Sequence, residues 1–109
     1  MIVVIGRVKT DSEKRADLIR VGTTVARASR QEPGCISYRV YEDVEIENEF
    51  VFVEEWESRE ALFSHFATPH VGAFMRAIFD AVVEPPDVKF HTIESSMDLA
   101  DVNAGAEPR

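Results

Sequence analysis

The chain has 109 residues, 45% of them hydrophobic and 29% charged, which is enough for one compact domain with a buried core and too few for two. Twenty acidic residues against 12 basic ones give a formal net charge of −8, a sign that disfavours nucleic acids and anionic membranes as partners. The single cysteine, Cys35, excludes an intrachain disulfide, so we expect a cytoplasmic protein.

The first third of the chain predicts a strand followed by a helix. Residues Ile2–Val8 are almost all apolar and mostly β-branched, a pattern typical of a strand that is covered on both faces. Asp11 and Ser12 are good helix caps, and apolar residues recur at helical spacing from there to about Arg30. A Pro-Gly pair at residues 33–34 then ends the helix.

Two further strands are predicted around an acidic hairpin. The segments Cys35–Glu42 and Phe50–Trp56 alternate like strands, and the stretch Asp43–Asn48 between them lacks periodicity. The two strands are therefore expected to be antiparallel neighbours. Alternation within the first of them places three side chains on one face: Ile36, Tyr38 and Val40.

The last half of the chain predicts two helical segments, a fourth strand and a tail. Ser58 caps a short helix, Pro69 starts a second one, and the strand follows at Val88–Ile93. Residues Ser96–Arg109 hold few large apolar side chains, so a flexible tail is expected after a domain spanning residues 1–95.

The element order is β-α-β-β-α-β, which favours a ferredoxin-like α+β fold. Right-handed crossovers then give a four-stranded antiparallel sheet in the order 4-1-3-2, with both helices on one face. The opposite face of the central strands would expose Val, Ile or Phe in either register. Because such a patch is unusual on a soluble monomer, we expect a homodimer that pairs face to face.

The sequence lacks the motifs of several large enzyme classes. His65, His70 and His91 show no HExxH spacing, the glycines form no phosphate-binding loop, and no nucleophile elbow is present. We therefore expect neither a metal ion nor a cofactor.

A group of aromatic and ionisable residues could instead line one cavity between sheet and helices. An apolar cavity with a few polar groups suits an aromatic, quinol-like ligand, and a neutral imidazole could accept a phenolic proton. The alternatives are a core His65 that is hydrogen-bonded to a carbonyl or to Glu54, a structural Glu54 ion pair, and a Trp56 that only anchors the packing. The candidates are Tyr38, Glu54, Trp56, His65, Phe66, His70 and Phe74.

The motifs in this region resemble those of the antibiotic biosynthesis monooxygenase domain family. The resemblance covers residues 1–95 and rests on Glu32–Tyr38, Phe52–Leu62, His65–His70 and Phe74. It implies a dimeric α+β barrel. Similar proteins include cofactor-independent quinol or anthrone monooxygenases, haem-degrading enzymes, a signal-molecule isomerase and many proteins without a known substrate.

The leading hypothesis is a cofactor-independent monooxygenase that acts on a quinol-type aromatic with O2. In this scheme His65, oriented by Glu54, accepts the phenolic proton and Tyr38 bonds a substrate oxygen. The ring is enclosed by four side chains: Trp56, Phe66, His70 and Phe74.

Two other functions are weighed against this one. A non-catalytic dimer could use the same cavity only to bind a small hydrophobic molecule. Haem degradation is less favoured. The resemblance implies that haem-degrading members use an asparagine on strand one, whereas this sequence has Gly6 and Arg7 there and no asparagine before Asn48.

Overall fold

The computed structural model describes residues 1–105 and contains four strands and four α-helices. A single 3-10 turn, Ser12–Lys14, precedes the first helix. No helix in this described part of the chain is both long enough and apolar enough to cross a membrane. The elements in chain order are β1 (Ile2–Lys9), α1 (Arg15–Ser29), β2 (Cys35–Glu42), β3 (Glu49–Trp56), α2 (Arg59–Phe66), α3 (Pro69–Ala81), β4 (Asp87–Thr92) and α4 (Leu99–Ala104).

The strands form one antiparallel sheet in the order β2-β3-β1-β4. The predicted order 4-1-3-2 is the same arrangement read from the other edge, so the ferredoxin-like topology is confirmed. In the centre of the sheet, Ile2 pairs with Trp56 and Val8 with Phe50. This register places the large side chains of β1 and β3 on the same side.

The helices cover that side and enclose the core. Val4 of β1 and Phe52 and Trp56 of β3 are buried there, together with Leu18 of α1 and Ile78 of α3. Burial of these side chains supplies the main stabilising term, at about 1.5–3 kcal/mol for each large apolar group. The core therefore lies between the sheet and the helices.

The opposite side of the sheet is open. The alternate residues of the central strands point there, and they include Val3, Ile5, Val51 and Val53. Ile5 is 36% exposed, although it lies in the middle of β1. As predicted from the alternation, the centre of this open face is apolar.

One predicted side-chain direction is wrong, because β2 contains an irregularity in its pairing. The register with β3 shifts between Cys35 and Ser37. Ile36, expected to share a face with Tyr38, is half exposed, whereas Cys35 packs against the core. A bulge of this kind adds one residue to a strand and reverses the alternation beyond it.

The C-terminal segment contains a helix that the sequence analysis did not predict. Asp98 and Asp101 form a reciprocal capping box at the start of α4, and Gly105 ends it in the left-handed conformation. Its side chains are mostly exposed, so local capping rather than a core contact defines it. Residues 106–109, the end of the expected tail, lie outside the described residues.

Gly34 shapes the turn that leads from α1 into β2. Its φ is +84°, and an added Cβ would lie 2.5 Å from the Cβ of Ala61 on α2. The carbonyl of Gly34 also accepts a 2.8 Å hydrogen bond from the backbone N–H of Glu57. Only glycine allows both the positive φ and this close approach of the turn to α2.

We expect Gly34→Ala to lower the free energy of unfolding by about 2–4 kcal/mol, because strain at positive φ adds to the clash with Ala61. Urea denaturation followed by circular dichroism measures the change.

Gly72→Ala is the matched control, since Gly72 lies within α3 and a Cβ there meets only the Arg76 side chain, at 3.6 Å. That variant should be stabilised by about 0.5–1 kcal/mol. Equal stabilities for the two variants would contradict this account of the turn.

Candidate active site

A cavity of about 170 Å³ lies between the sheet and helices α2 and α3. Its walls are almost entirely apolar, and three polar side chains lie in its lining: Tyr38, Glu54 and His65. Val88 and Phe90 of the edge strand β4 also line it, and both are about half exposed. The cavity is therefore apolar and lies close to the surface beside β4.

The three polar residues are themselves buried and in mutual contact. Tyr38 is 2% exposed, His65 2% and Glu54 6%. Tyr38 and Glu54 are cross-strand partners on β2 and β3, and the Glu54 carboxyl group accepts a 3.0 Å hydrogen bond from Nε1–H of Trp56. Nε2 of His65 lies 3.6 Å from Oε1 of Glu54, slightly beyond hydrogen-bond distance.

His65 is held from its other side by Glu32. Nδ1 of His65 lies 2.7 Å from Oε2 of Glu32, and Nε2 of His70 lies 2.8 Å from the same oxygen. An ionised carboxylate only accepts hydrogen bonds, so Nδ1 of His65 carries the hydrogen and its Nε2 keeps a free lone pair. That lone pair is on the Glu54 side of the ring.

Local sequence signals determine where Glu32, His65 and His70 lie. Glu32 stands two residues before the glycine turn, which brings its carboxylate beside α2. The Ser58 side chain caps α2, the element that carries His65. The Thr68 side chain caps α3 and also donates to the carbonyl of His65. With Pro69 at the first turn of α3, His70 follows in a fixed position.

Burial controls the protonation of the cavity residues. Desolvation lowers the pKa of His65, although the Glu32 hydrogen bond partly opposes the shift. For the Glu54 carboxyl group the same desolvation acts in the opposite direction and raises the pKa to about 7, although the hydrogen bond from Trp56 partly opposes the shift. Burial also raises the pKa of Tyr38 above its usual value. At neutral pH the imidazole is therefore unprotonated and able to accept a proton, whereas Tyr38 remains a hydrogen-bond donor.

The structure brings five of the seven candidate residues to the cavity wall: Tyr38, Glu54, His65, Phe66 and Phe74. The other two lie elsewhere. Trp56 is fully buried, donates its indole N–H to Glu54 and is not in the cavity lining. His70 bonds Glu32 on the outer side of His65 and is also absent from the lining.

Glu32 is absent from the residues predicted for the site, and Glu54 is the group predicted to orient His65. The partner within hydrogen-bond distance is Glu32, not Glu54. Glu32 is the first residue of the segment Glu32–Tyr38, one of those on which the family resemblance rests, and that segment was the available signal. Its partner lies 33 residues away, so no local pattern could connect the two.

The structure also differs from the expectation of no metal-ligating cluster. Glu32, His65 and His70 each offer one ligand atom, and these atoms lie within 4.8 Å of one another. Two imidazole nitrogens and one carboxylate oxygen are a donor set that binds divalent transition metals.

The Cys35 thiol lies near this site but is not a nucleophile at neutral pH. Burial raises its pKa to about 11, and the carboxylates of Glu32 and Glu54 add to the shift. The thiolate, which is the reactive form, is therefore scarce.

Comparison with known proteins identifies the family. The family model described as "Antibiotic biosynthesis monooxygenase" matches residues 1–77, a range that includes the cavity residues on β1, β2, β3 and α2 and part of α3. The chain belongs to the antibiotic biosynthesis monooxygenase family. The resemblance noted from the sequence motifs is thereby confirmed.

Individual relatives agree with this assignment. An uncharacterized protein from Synechocystis sp. is 39% identical over 98 residues, covering 90% of this chain and 67% of the relative. The "Putative monooxygenase YcnE" of Bacillus subtilis is 32% identical over 88 residues, covering 81% of this chain and 93% of the relative.

Among solved structures, an antibiotic biosynthesis monooxygenase family protein from Deinococcus radiodurans superposes with a TM-score of 0.86 and 26% identity, covering 91% of this chain and 98% of that one. Rv0793 from Mycobacterium tuberculosis gives a TM-score of 0.83 and 26% identity, covering 89% and 98%.

We expect the cavity to bind phenol, and we expect Gly6→Val to abolish that binding. Gly6 lines the cavity, and an added Cβ there would make only ordinary contacts, the nearest at 3.6 Å to Val88. A β-branched side chain suits a strand, so the variant should fold while filling the space. Phenol-induced shifts of the melting temperature measure binding; an equal shift in the wild type and the variant would place the phenol elsewhere.

Proposed function

We propose that the protein is a cofactor-independent monooxygenase that uses O2 to oxygenate a small quinol or polyphenol. The observation that carries this proposal is the pairing of an apolar cavity with a buried, neutral imidazole in its lining, whose free nitrogen is on the side of Glu54, a second lining residue. Relatives named as monooxygenases support the reaction class. The substrate class rests on the cavity itself.

The volume of the cavity supports a substrate with one aromatic ring. A dry cavity of about 150 Å³ is large enough to bind benzene, and this one is about 170 Å³. Phe52, Phe66 and Phe74 in its lining provide ring faces and edges for an aromatic ligand. A porphyrin, with four pyrrole rings, exceeds this space, which counts against haem as the ligand.

The polar residues of the cavity lining supply a proton acceptor and a hydrogen-bond donor for a quinol hydroxyl. Nε2 of His65 accepts the phenolic proton, while the Glu32 carboxylate bonded to Nδ1 stabilises the imidazolium that results. The Tyr38 hydroxyl donates to the phenolate oxygen, since its raised pKa keeps the proton in place. Deprotonation makes the ring electron-rich enough to reduce O2 directly, so the substrate provides the electrons.

The reaction balances without an external reductant. A hydroquinone and one O2 give a hydroxyquinone and one water. One oxygen atom forms the new bond to ring carbon, and the other leaves as water with two substrate hydrogens. The apolar walls exclude bulk water from the phenolate during this step.

We expect His65→Gln to reduce the rate of oxygen-dependent quinol turnover about 10²- to 10⁴-fold, the usual contribution of a general base. Metal-stripped protein is mixed with a panel of hydroquinones, and oxygen uptake and hydroxyquinone absorbance are followed. His91→Gln is the matched control, because His91 is exposed on β4 and does not line the cavity.

Equal turnover by His65→Gln and the wild type would remove the assigned base. Saturable quinol binding without oxygen uptake by the wild type would contradict the reaction and would favour a non-catalytic binding protein.

We propose in addition that two chains pair through their open sheet faces. The apolar centre of that face lies on the two middle strands, where Ile5 is opposite Val53. Covering these side chains would remove apolar surface from water, which stabilises association. The proposal accounts for an apolar strip that no element of residues 1–105 covers.

We expect Ile5→Asp to convert the dimer to a monomer at micromolar concentration, because a carboxylate would be buried without a partner. Sedimentation velocity measures the change. Val44→Asp, in the hairpin between β2 and β3 and 100% exposed, makes the same kind of substitution at another apolar residue and should leave the dimer intact. A monomeric wild type would overturn this arrangement.

A further inference from the structure

We propose that Glu32, His65 and His70 form a binding site for a divalent transition metal ion such as Zn²⁺, with one ion per chain. The inference goes beyond the proposed oxygenation, which requires no metal. It rests on the convergence of three ligand-type side chains from three separate elements: the turn after α1, helix α2 and the first turn of α3.

The geometry of the three donor atoms is close to that of a bound ion. Oε2 of Glu32 lies 2.7 Å from Nδ1 of His65 and 2.8 Å from Nε2 of His70, and all three atoms lie within 4.8 Å of one another. Tetrahedral Zn²⁺ with bonds of about 2.0–2.2 Å separates its ligands by about 3.3–3.5 Å. The Glu32 oxygen is thus roughly half an ångström closer to each imidazole nitrogen than it would be as a fellow ligand of Zn²⁺, so the carboxylate moves back from both rings when an ion binds.

A second layer of residues supports His65 as a ligand. A histidine that binds a metal through one ring nitrogen usually donates the N–H of the other nitrogen to a carboxylate, which orients the ring. Nε2 of His65 is 3.6 Å from Oε1 of Glu54, and the same oxygen accepts from Nε1–H of Trp56. With a metal on Nδ1 of His65, the Nε2–H donates to Glu54, and Trp56 donates to the same carboxyl group from the other side.

The site is shielded yet reachable from solvent. The side chain of His65 is 2% exposed, that of Glu32 12% and that of His70 26%, so an ion enters from the His70 side. Three protein ligands leave one tetrahedral position open. The net charge of −8 also favours the approach of a cation.

Metal binding and the proposed base role exclude each other. A metal on Nδ1 of His65 moves the ring hydrogen to Nε2, and Nε2 then donates to Glu54 and has no lone pair for a phenolic proton. Where the proposed oxygenation holds, Zn²⁺ at this site inhibits it. The site would thus make the enzyme sensitive to the free zinc concentration.

The test measures binding without any substrate, so its outcome is separate from that of the oxygenation. EDTA-stripped protein is titrated with Co²⁺ by visible absorbance and with Zn²⁺ by calorimetry. We expect one ion per chain, with Glu32→Gln and His70→Gln each weakening binding at least 10-fold. His91→Gln, which changes the third histidine of the chain, should bind like the wild type.

A second measurement decides the question even if a variant fails to fold. Long-range ¹H–¹⁵N spectra of the wild type should show Zn²⁺ shifting Nδ1 of His65 and Nε2 of His70, with His91 unchanged. The proposal is overturned by the absence of saturable binding, by equal affinities of the wild type and folded Glu32→Gln, or by shifts confined to His91.

Discussion

The hydrogen bond between Oε2 of Glu32 and Nδ1 of His65 is the interaction on which the rest of the site depends. It joins two segments 33 residues apart and gives a buried imidazole and a mostly buried carboxylate a partner each, without which their burial would be costly. The same oxygen bonds His70, so one carboxylate fixes the turn after α1 against both α2 and the start of α3. It also determines which nitrogen of His65 stays free.

The fold places His65 in the lining of an apolar cavity. Helices α2 and α3 cover the sheet incompletely, since Gly6 contributes no side chain and β4 lies at an exposed edge. The space that remains is apolar except at the end where Tyr38, Glu54 and His65 meet. Low polarity there lowers the pKa of the imidazole and raises that of the carboxyl group, so a base and a hydrogen-bond donor coexist at neutral pH.

The two proposals for His65 differ in the location of a single hydrogen. With the hydrogen on Nδ1, Glu32 orients a base whose Nε2 faces Glu54; with a metal on Nδ1, Nε2 becomes a donor to the same carboxyl group. Trp56 supports Glu54 in both states through its indole N–H. The two proposals thus use the same buried network and differ in which atom of His65 is the hydrogen-bond donor.

The sequence by itself determined the order of the elements from β1 to β4, the sheet topology and five residues of the cavity wall, because hydrophobic periodicity and capping are local and β-strand pairing follows from them. It also brought Tyr38, Glu54 and His65 together correctly, since they lie on neighbouring elements. Only the tertiary structure decided that Glu32 orients His65 and that Trp56 stands behind the cavity. Those assignments depend on a turn geometry and on side-chain directions, and both arise when distant segments pack against one another.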